Sequence, residues 1–266
     1  MKKRQLLNEL ERHFPEYSRD ALYSRILCGE VVVNGEKIID PSFKTESGSL
    51  FEIFEKKFVS RGGLKLEAAL DAWNIEVEGK IFLDAGSSTG GFTDCLLQKG
   101  ASKVYSVDVG YNQLAYSLRK DSRVSVHEKC NIMHFTGIEP LPAAAVADLS
   151  FRSINGAAAH ILNLTTDKIL VALVKPQFEI DTVEYPDFNG IISNKKILWK
   201  VLRNLLEKMA ADNLLVEKIM LSPVRGRKGN IEFLFLVRNN FSDFADSLWM
   251  EKAGRGLEYL IDGLQQ

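Results

Sequence analysis

From residue 81 onward, short apolar runs closed by polar residues alternate with amphipathic stretches of helical spacing. The runs cover residues 81–84, 104–108, 124–127, 143–148 and 169–175, and helical intervals recur at 64–73, 92–99 and 113–119. Unbroken apolar runs read as strands buried on both faces. Alternating with helices, they predict a mostly parallel sheet covered by helices on both sides. A long helix is expected over 195–211, then strands at 215–221 and 231–237 paired antiparallel at one sheet edge. An amphipathic helix around 244–264 closes the pattern.

The first 55 residues break this rhythm and read as a small unit of their own. Helical spacing occupies 5–12 and 18–27, the second opened by Ser18 as an N-cap. Two strands follow around Asn34-Gly35, a dipeptide suited to a tight hairpin turn. Residues 41–49 read as loop and 50–54 as another strand, and 56–63, with Gly62-Gly63, as a hinge or linker.

Composition narrows the classes. The chain has 266 residues, 45% hydrophobic and 26% charged, with a net charge of -1. That length supports one large domain plus a small one. Near-neutral charge gives no global attraction to nucleic acid or anionic lipid, so such binding must come from local patches. No apolar run approaches the roughly 18–20 residues of a membrane helix, and the N-terminus lacks a secretory apolar core. Cys28, Cys95 and Cys130 are odd in number and scattered, and His13, His127, His134 and His160 lack metal-ligand spacing. A cytoplasmic protein with reduced thiols and no metal site is expected.

The chemistry concentrates at strand ends. The first strand runs into Asp84-Ala-Gly86-Ser-Ser88-Thr-Gly90-Gly91, a glycine turn that lets backbone amides approach a ligand. Asp108 ends the second strand, where a doubly wound sheet would hold ribose hydroxyls. Asp148 and Lys175 end the fourth and fifth strands with opposite charges. Lys65 opens the helix before the first strand, and Glu232 lies just inside the last strand among apolar neighbours. An acid in that setting needs a partner. Charges at so many strand ends point to a shared cleft.

These stretches together resemble the TlyA or hemolysin A family of RNA methyltransferases, which join an S-four-type RNA-binding domain to an FtsJ-like catalytic domain. The resemblance rests on Ser60-Arg61-Gly62-Gly63-Leu64-Lys65-Leu66, on 83–93, on Asp108-Val109-Gly110-Tyr111, on 147–151, on 173–179 and on Gly229-Asn230-Ile231-Glu232-Phe233. In the first unit it is carried by Ser18-Arg19 and the 29–35 hairpin. It implies an α/β fold: a Rossmann-like S-adenosylmethionine-dependent methyltransferase sheet with a small N-terminal α+β RNA-binding domain. The expected boundaries are 1–58, 59–240 and a helical extension at 241–266.

The activity it implies is methyl transfer from S-adenosylmethionine to a ribose 2′-hydroxyl of ribosomal RNA, with ribosomal RNA or subunits as partner and no membrane. The family's catalytic positions fall on Lys65, Asp148, Lys175 and Glu232, the four residues already singled out by type and place. Asp84, Gly86, Ser88, Gly90, Gly91 and Asp108 would hold the cofactor, with Asn131 at the adenine edge. Lys175 is assigned the hydroxyl proton and must be neutral to accept it. An unperturbed lysine titrates near ~10.4, so burial or a nearby cation such as Lys65 must favour the neutral form.

Candidate RNA contacts are Arg4, Arg19, Arg25, Arg225, Arg227 and Lys228. The first 55 residues carry eight Lys/Arg against ten Asp/Glu, so contact there depends on clustering on one face. The 181–187 segment is acidic where the family is glycine- and lysine-rich, and Arg152 replaces an apolar residue. Two other functions are weighed: a non-catalytic RNA-binding protein of the same fold, and a membrane-damaging hemolysin.

Overall fold

The computed structural model describes residues 4–27, 29–54, 57–150, 153–226, 229–239 and 247–264. Residues 4–54 pack as helices α1 (Leu6–His13) and α2 (Arg19–Leu27) against a three-stranded antiparallel sheet. That sheet has the order β3 (Glu36–Ile38), β2 (Val31–Val33), β5 (Phe51–Ile53). Asn34 and Gly35 both adopt the left-handed conformation that a tight hairpin turn demands (φ 52° and 84°). Leu6, Leu10, Leu22, Ile26 and Val31 form a core of their own. One pairing was not expected: β1 (Arg4–Gln5) bonds antiparallel to β4 (Lys44–Thr45), inside the segment read as loop.

The larger part is built on a seven-stranded sheet. Its strands are β6 (Ile81–Ala85), β7 (Lys103–Val107), β8 (Val124–His127), β9 (Ala144–Ala147), β10 (Ile169–Val174), β11 (Leu214–Leu221) and β12 (Phe233–Asn239). They lie in the order β11-β12-β10-β9-β6-β7-β8. β12 alone points opposite to the other six; its antiparallel pairing with β11 at the sheet edge is the expected one, and its insertion between β10 and β11 goes beyond that expectation.

Helices α3 (Gly62–Trp73) and α4 (Gly91–Gln98) cover one face with Leu66, Leu70, Phe92 and Leu96. On the other face, α6 (Asn155–Asn163), α7 (Lys195–Ala211) and α8 (Ser247–Asp262) supply Ile161, Leu202, Leu205, Leu257 and Ile261. Among the described residues, no helix is long and apolar enough to cross a membrane.

The stretch expected as a hinge is instead docked. Phe58 is buried in the α3/α4 core, Val59 N donates to the Asp94 carboxylate (2.8 Å), and Gln98 Nε2 donates to Lys57 O (2.8 Å). Its glycines serve close packing: a Cβ on Gly63 would fall 2.3 Å from the Phe58 ring. Helix α5 (Tyr116–Lys120) starts later than expected, because Gln113 N donates to the Glu128 carboxylate. Cys28, Phe151, Arg152, Arg227 and Lys228 lie outside the described residues.

Candidate active site

The strand order reverses between β6 and β9: from β6 the chain builds outward to β7 and β8, then returns to β9 on the other side. Doubly wound sheets bind ligands at that reversal, beyond the carboxyl ends of the strands. Here the two ends are laced together, with Asp148 N donating to Ala85 O (3.0 Å) and Gly86 N to Val107 O (2.8 Å).

The glycine turn leaves β6 at this point. Gly86 is left-handed (φ 84°), and a Cβ there would sit 2.6 Å from the Asp148 carbonyl oxygen. Gly90 is left-handed as well (φ 97°), pressed against Leu114 and Leu118, and opens α4. Asp108 ties this turn to the next: its carboxylate accepts from Ser88 N (2.7 Å) and Gly110 N (2.6 Å). Ser88 Oγ also donates to Gln113 Oε1 (3.3 Å). Val109 and Tyr111 stand 70% and 68% exposed beside Asp108, with Lys129 Nζ lying 4.2 Å from the centre of the Tyr111 ring. Asn131 caps a short turn, its Oδ1 accepting from Met133 N (3.0 Å).

Beneath the turn Asp84 is fully buried. Thr93 Oγ1 donates to its Oδ2 (2.6 Å), while Oδ1 has no hydrogen-bond partner. Burial pushes this carboxyl up to about 7, reinforced by the negative charges of Asp148 and Asp108 and opposed by the Thr93 bond. A glycine cradle that a Cβ would fill, an anchored carboxylate and an unpartnered buried oxygen fit a ligand with ribose hydroxyls and cationic groups.

The four predicted catalytic residues form two ion pairs at the same end of the sheet. Lys65 Nζ contacts Glu232 Oε2, both side chains nearly sealed from solvent. Lys175 Nζ stands 2.5 Å from Asp148 Oδ1, an ion-pair contact not aligned as a hydrogen bond. It also donates to Leu149 O (3.0 Å) and Ser150 Oγ (3.2 Å).

Register explains the meeting of the pairs. Val174 of β10 is opposite Phe233 of β12, so Lys175 and Glu232 come one residue beyond that rung, from opposite directions. Glu232 precedes β12 rather than lying inside it, and its carbonyl accepts from Ser222 N (2.9 Å), which prolongs the ladder.

The candidate RNA-binding arginines are less free than their spacing implied. Arg4 donates to Glu9 (3.1 Å), Arg19 pairs with Glu11, Arg25 with Glu30 (3.1 Å), and Arg225 reaches Gly229 O (3.2 Å). Ser150, Thr93 and Gln113 support the site but were not singled out from sequence, since lone polar residues carry no spacing signal. Cys95 is buried and pushed up to about 12 by that burial, which leaves it inert.

Comparison with known proteins accords with this geometry. Hemolysin A of Brachyspira hyodysenteriae is 41% identical over 82% of this chain and 92% of its own length. The 16S/23S rRNA (cytidine-2′-O)-methyltransferase TlyA of Mycobacterium tuberculosis is 34% identical over 86% and 88%. A solved structure named as a hemolysin, from Streptococcus thermophilus, superposes with a TM-score of 0.69 at 35% identity, covering 98% of each chain. Since residues 58–239 also match the FtsJ-like methyltransferase family as a whole, the chain belongs to the FtsJ-like methyltransferases.

Proposed function

We propose that this chain transfers a methyl group from S-adenosylmethionine to a ribose 2′-hydroxyl in ribosomal RNA, acting on RNA or subunits in the cytoplasm. The names of the TlyA relatives support the reaction class. The observation that carries the reading is the convergence of Lys65–Glu232 and Lys175–Asp148 beside the glycine turn.

Asp84, Gly86, Ser88, Gly90, Gly91 and Asp108 would hold the cofactor, with Asn131 near the adenine. When bound, S-adenosylmethionine supplies a methyl group already activated by its sulfonium. The protein must align the ribose oxygen and dispose of its proton, chiefly a task of proximity and orientation. Lys175 is assigned the hydroxyl. Its ammonium is ringed by Asp148 Oδ1, Leu149 O and Ser150 Oγ. To accept a proton it must arrive neutral and turn its lone pair from one of these oxygens toward the substrate. Asp148 orients the amine and balances the charge that forms on it. Lys65 and Glu232 brace the opposite wall. General-base help of this kind is worth ~10²–10⁴-fold.

Residues 1–58 are assigned to RNA capture, through Arg4, Arg19 and Arg25, and Arg225, Arg227 and Lys228 are assigned further contacts. The surface pairs of Arg4 and Arg19 are weak enough to be exchanged for phosphates, whereas Arg25 is part-buried between Glu30 and the Tyr17 ring. Residues 59–240 then perform the transfer, and 241–266 form an extension.

The test uses full-length protein, ribosomal subunits from cells lacking it, and methyl-labelled S-adenosylmethionine. Label on a ribose 2′-oxygen is expected with the parent and absent with Lys175→Ala. An unlabelled ribose in the parent reaction overturns the reading. Lys175→Arg should also fail, because a guanidinium does not give up its proton; parental turnover would reduce Lys175 to a positioning charge.

A further inference from the structure

We propose that Glu179 is a positioning residue for methyl transfer, fixing the entry to α6 at Ser153 and Ile154 relative to the Lys175 that holds Leu149 and Ser150. The inference rests on the reading of Asp148 and Lys175 as the reacting pair. One short segment, from Lys175 to Glu179, holds Leu149 and Ser150 on one side and the entry to α6 on the other. At its start, Lys175 donates to Leu149 O (3.0 Å) and Ser150 Oγ (3.2 Å). At its end, the Glu179 carboxylate accepts from Ser153 Oγ (2.6 Å) and from Ile154 N (2.9 Å).

Lys175 and Glu179 flank a single tight turn, Pro176–Phe178, closed by Phe178 N to Lys175 O (2.8 Å) and Glu179 N to Pro176 O (3.0 Å). The two grips are therefore geometrically linked. If Glu179 lets go, the turn that carries Lys175 loses its anchor at α6, and the lysine amine shifts relative to the oxygens around it.

The chemistry of Glu179 suits this task. Ile154 opens α6 without a side-chain cap of its own, so a remote carboxylate supplies the missing acceptor. Its negative charge also faces the positive end of the helix dipole. The group is half-buried, and burial raises its pKa above the ordinary glutamate value, partly offset by the Ser153 and Ile154 bonds and by the Lys208 charge. The hollow beside it is lined by Asp181 and Glu184 from its own segment and by Lys200, Glu207 and Lys208 from α7. A plain structural cap would stabilise the fold without touching turnover. A positioning residue changes kcat while cofactor binding stays intact.

The experiment compares full-length parent, Glu179→Ala, Glu179→Gln and Ser153→Ala. In Glu179→Ala, kcat for RNA methylation should fall at least tenfold, with S-adenosylmethionine affinity within twofold of the parent. Glu179→Gln keeps one acceptor and should recover part of the loss. Ser153→Ala, which removes the bond to Glu179 and the acceptor for Asn155 N (3.3 Å) but leaves the Glu179 bond to Ile154 N in place, should fall between parent and Glu179→Ala. Hydrogen exchange at Ile154 should quicken at least tenfold in Glu179→Ala and stay unchanged across Gly86–Gly91. Parental kcat in folded Glu179→Ala, or an equal loss of cofactor affinity, overturns the proposal. If Glu179→Ala does not fold, parental kcat in both Glu179→Gln and Ser153→Ala overturns it. Should the parent prove inactive on ribosomal RNA, the functional reading falls, and unchanged exchange at Ile154 still refutes the positioning role.

Discussion

Lys65 and Glu232 are 167 residues apart in sequence, yet their side chains form a buried ion pair where α3 meets the approach to β12. Such a pair is held between Coulomb attraction and the cost of removing two charges from water. Removing one partner strands the other, at a typical cost of about 3–5 kcal/mol. Glu232→Ala should therefore unfold at markedly lower denaturant. The double variant Lys65→Met/Glu232→Leu removes both charges and should regain most of that stability. Methyl transfer should stay absent in both, and a double variant with parental turnover would make the pair purely structural.

Gly86 is the most constrained point of the cradle. Alanine there combines a left-handed backbone with a Cβ 2.6 Å from the Asp148 carbonyl oxygen. The backbone conformation alone costs about 1–2 kcal/mol. Gly86→Ala should lose that stability and bind S-adenosylmethionine at least tenfold more weakly by titration calorimetry. Unchanged affinity in folded protein would remove Gly86 from the cofactor site.

Asp84 gives the fold a pH signature. Its folded-state pKa is about 7, raised from 3.8, so the folded form prefers the protonated carboxyl. The associated stability is fully present below pH ~4 and is lost as pH rises through about 7. A rise of that size corresponds to about 4 kcal/mol as an upper figure. Chemical denaturation between pH 5 and 8.5 should show stability falling with pH in the parent. Asp84→Asn keeps an acceptor for Thr93 and should flatten that fall. Parallel curves for the two proteins would refute the assignment.

The arginines of the N-terminal unit separate affinity from stability. The surface pairs of Arg4 and Arg19 contribute about 0–1 kcal/mol each, so changing these two to Gln should shift the melting temperature little. RNA binding should weaken, and the slope of log affinity against log salt should shrink by about 0.7–0.9 per lost phosphate contact. A parental salt slope would place the RNA elsewhere.

Most of the sheet was legible because apolar runs with polar ends repeat at βα spacing, and because Asn34-Gly35 allows few turns other than a hairpin. The four charged site residues were legible for a similar reason: a charge closing an apolar strand stands out. The β1/β4 pairing was invisible, since two-residue strands separated by most of a domain carry no periodicity. The docking of residues 57–63 was misread because Gly62-Gly63 looks the same in a hinge and in a tight helix contact. Only the Phe58 ring lying over Gly63 tells them apart. Glu179 falls within the 173–179 stretch, but nothing in its spacing announces bonds to the residues that lead into a helix beginning 24 residues earlier.

The late insertion of β12 between β10 and β11 governs when the enzyme becomes competent. The glycine turn and Asp108 are complete by residue 108, but Glu232 arrives only with the closing strand. Contacts of such long sequence separation are entropically costly to close and form late. On a growing chain, the elements assigned to the methyl donor and the Lys175–Asp148 pair thus precede the partner of Lys65. A protein interrupted before residue 230 would carry Lys65 without the Glu232 that neutralises it.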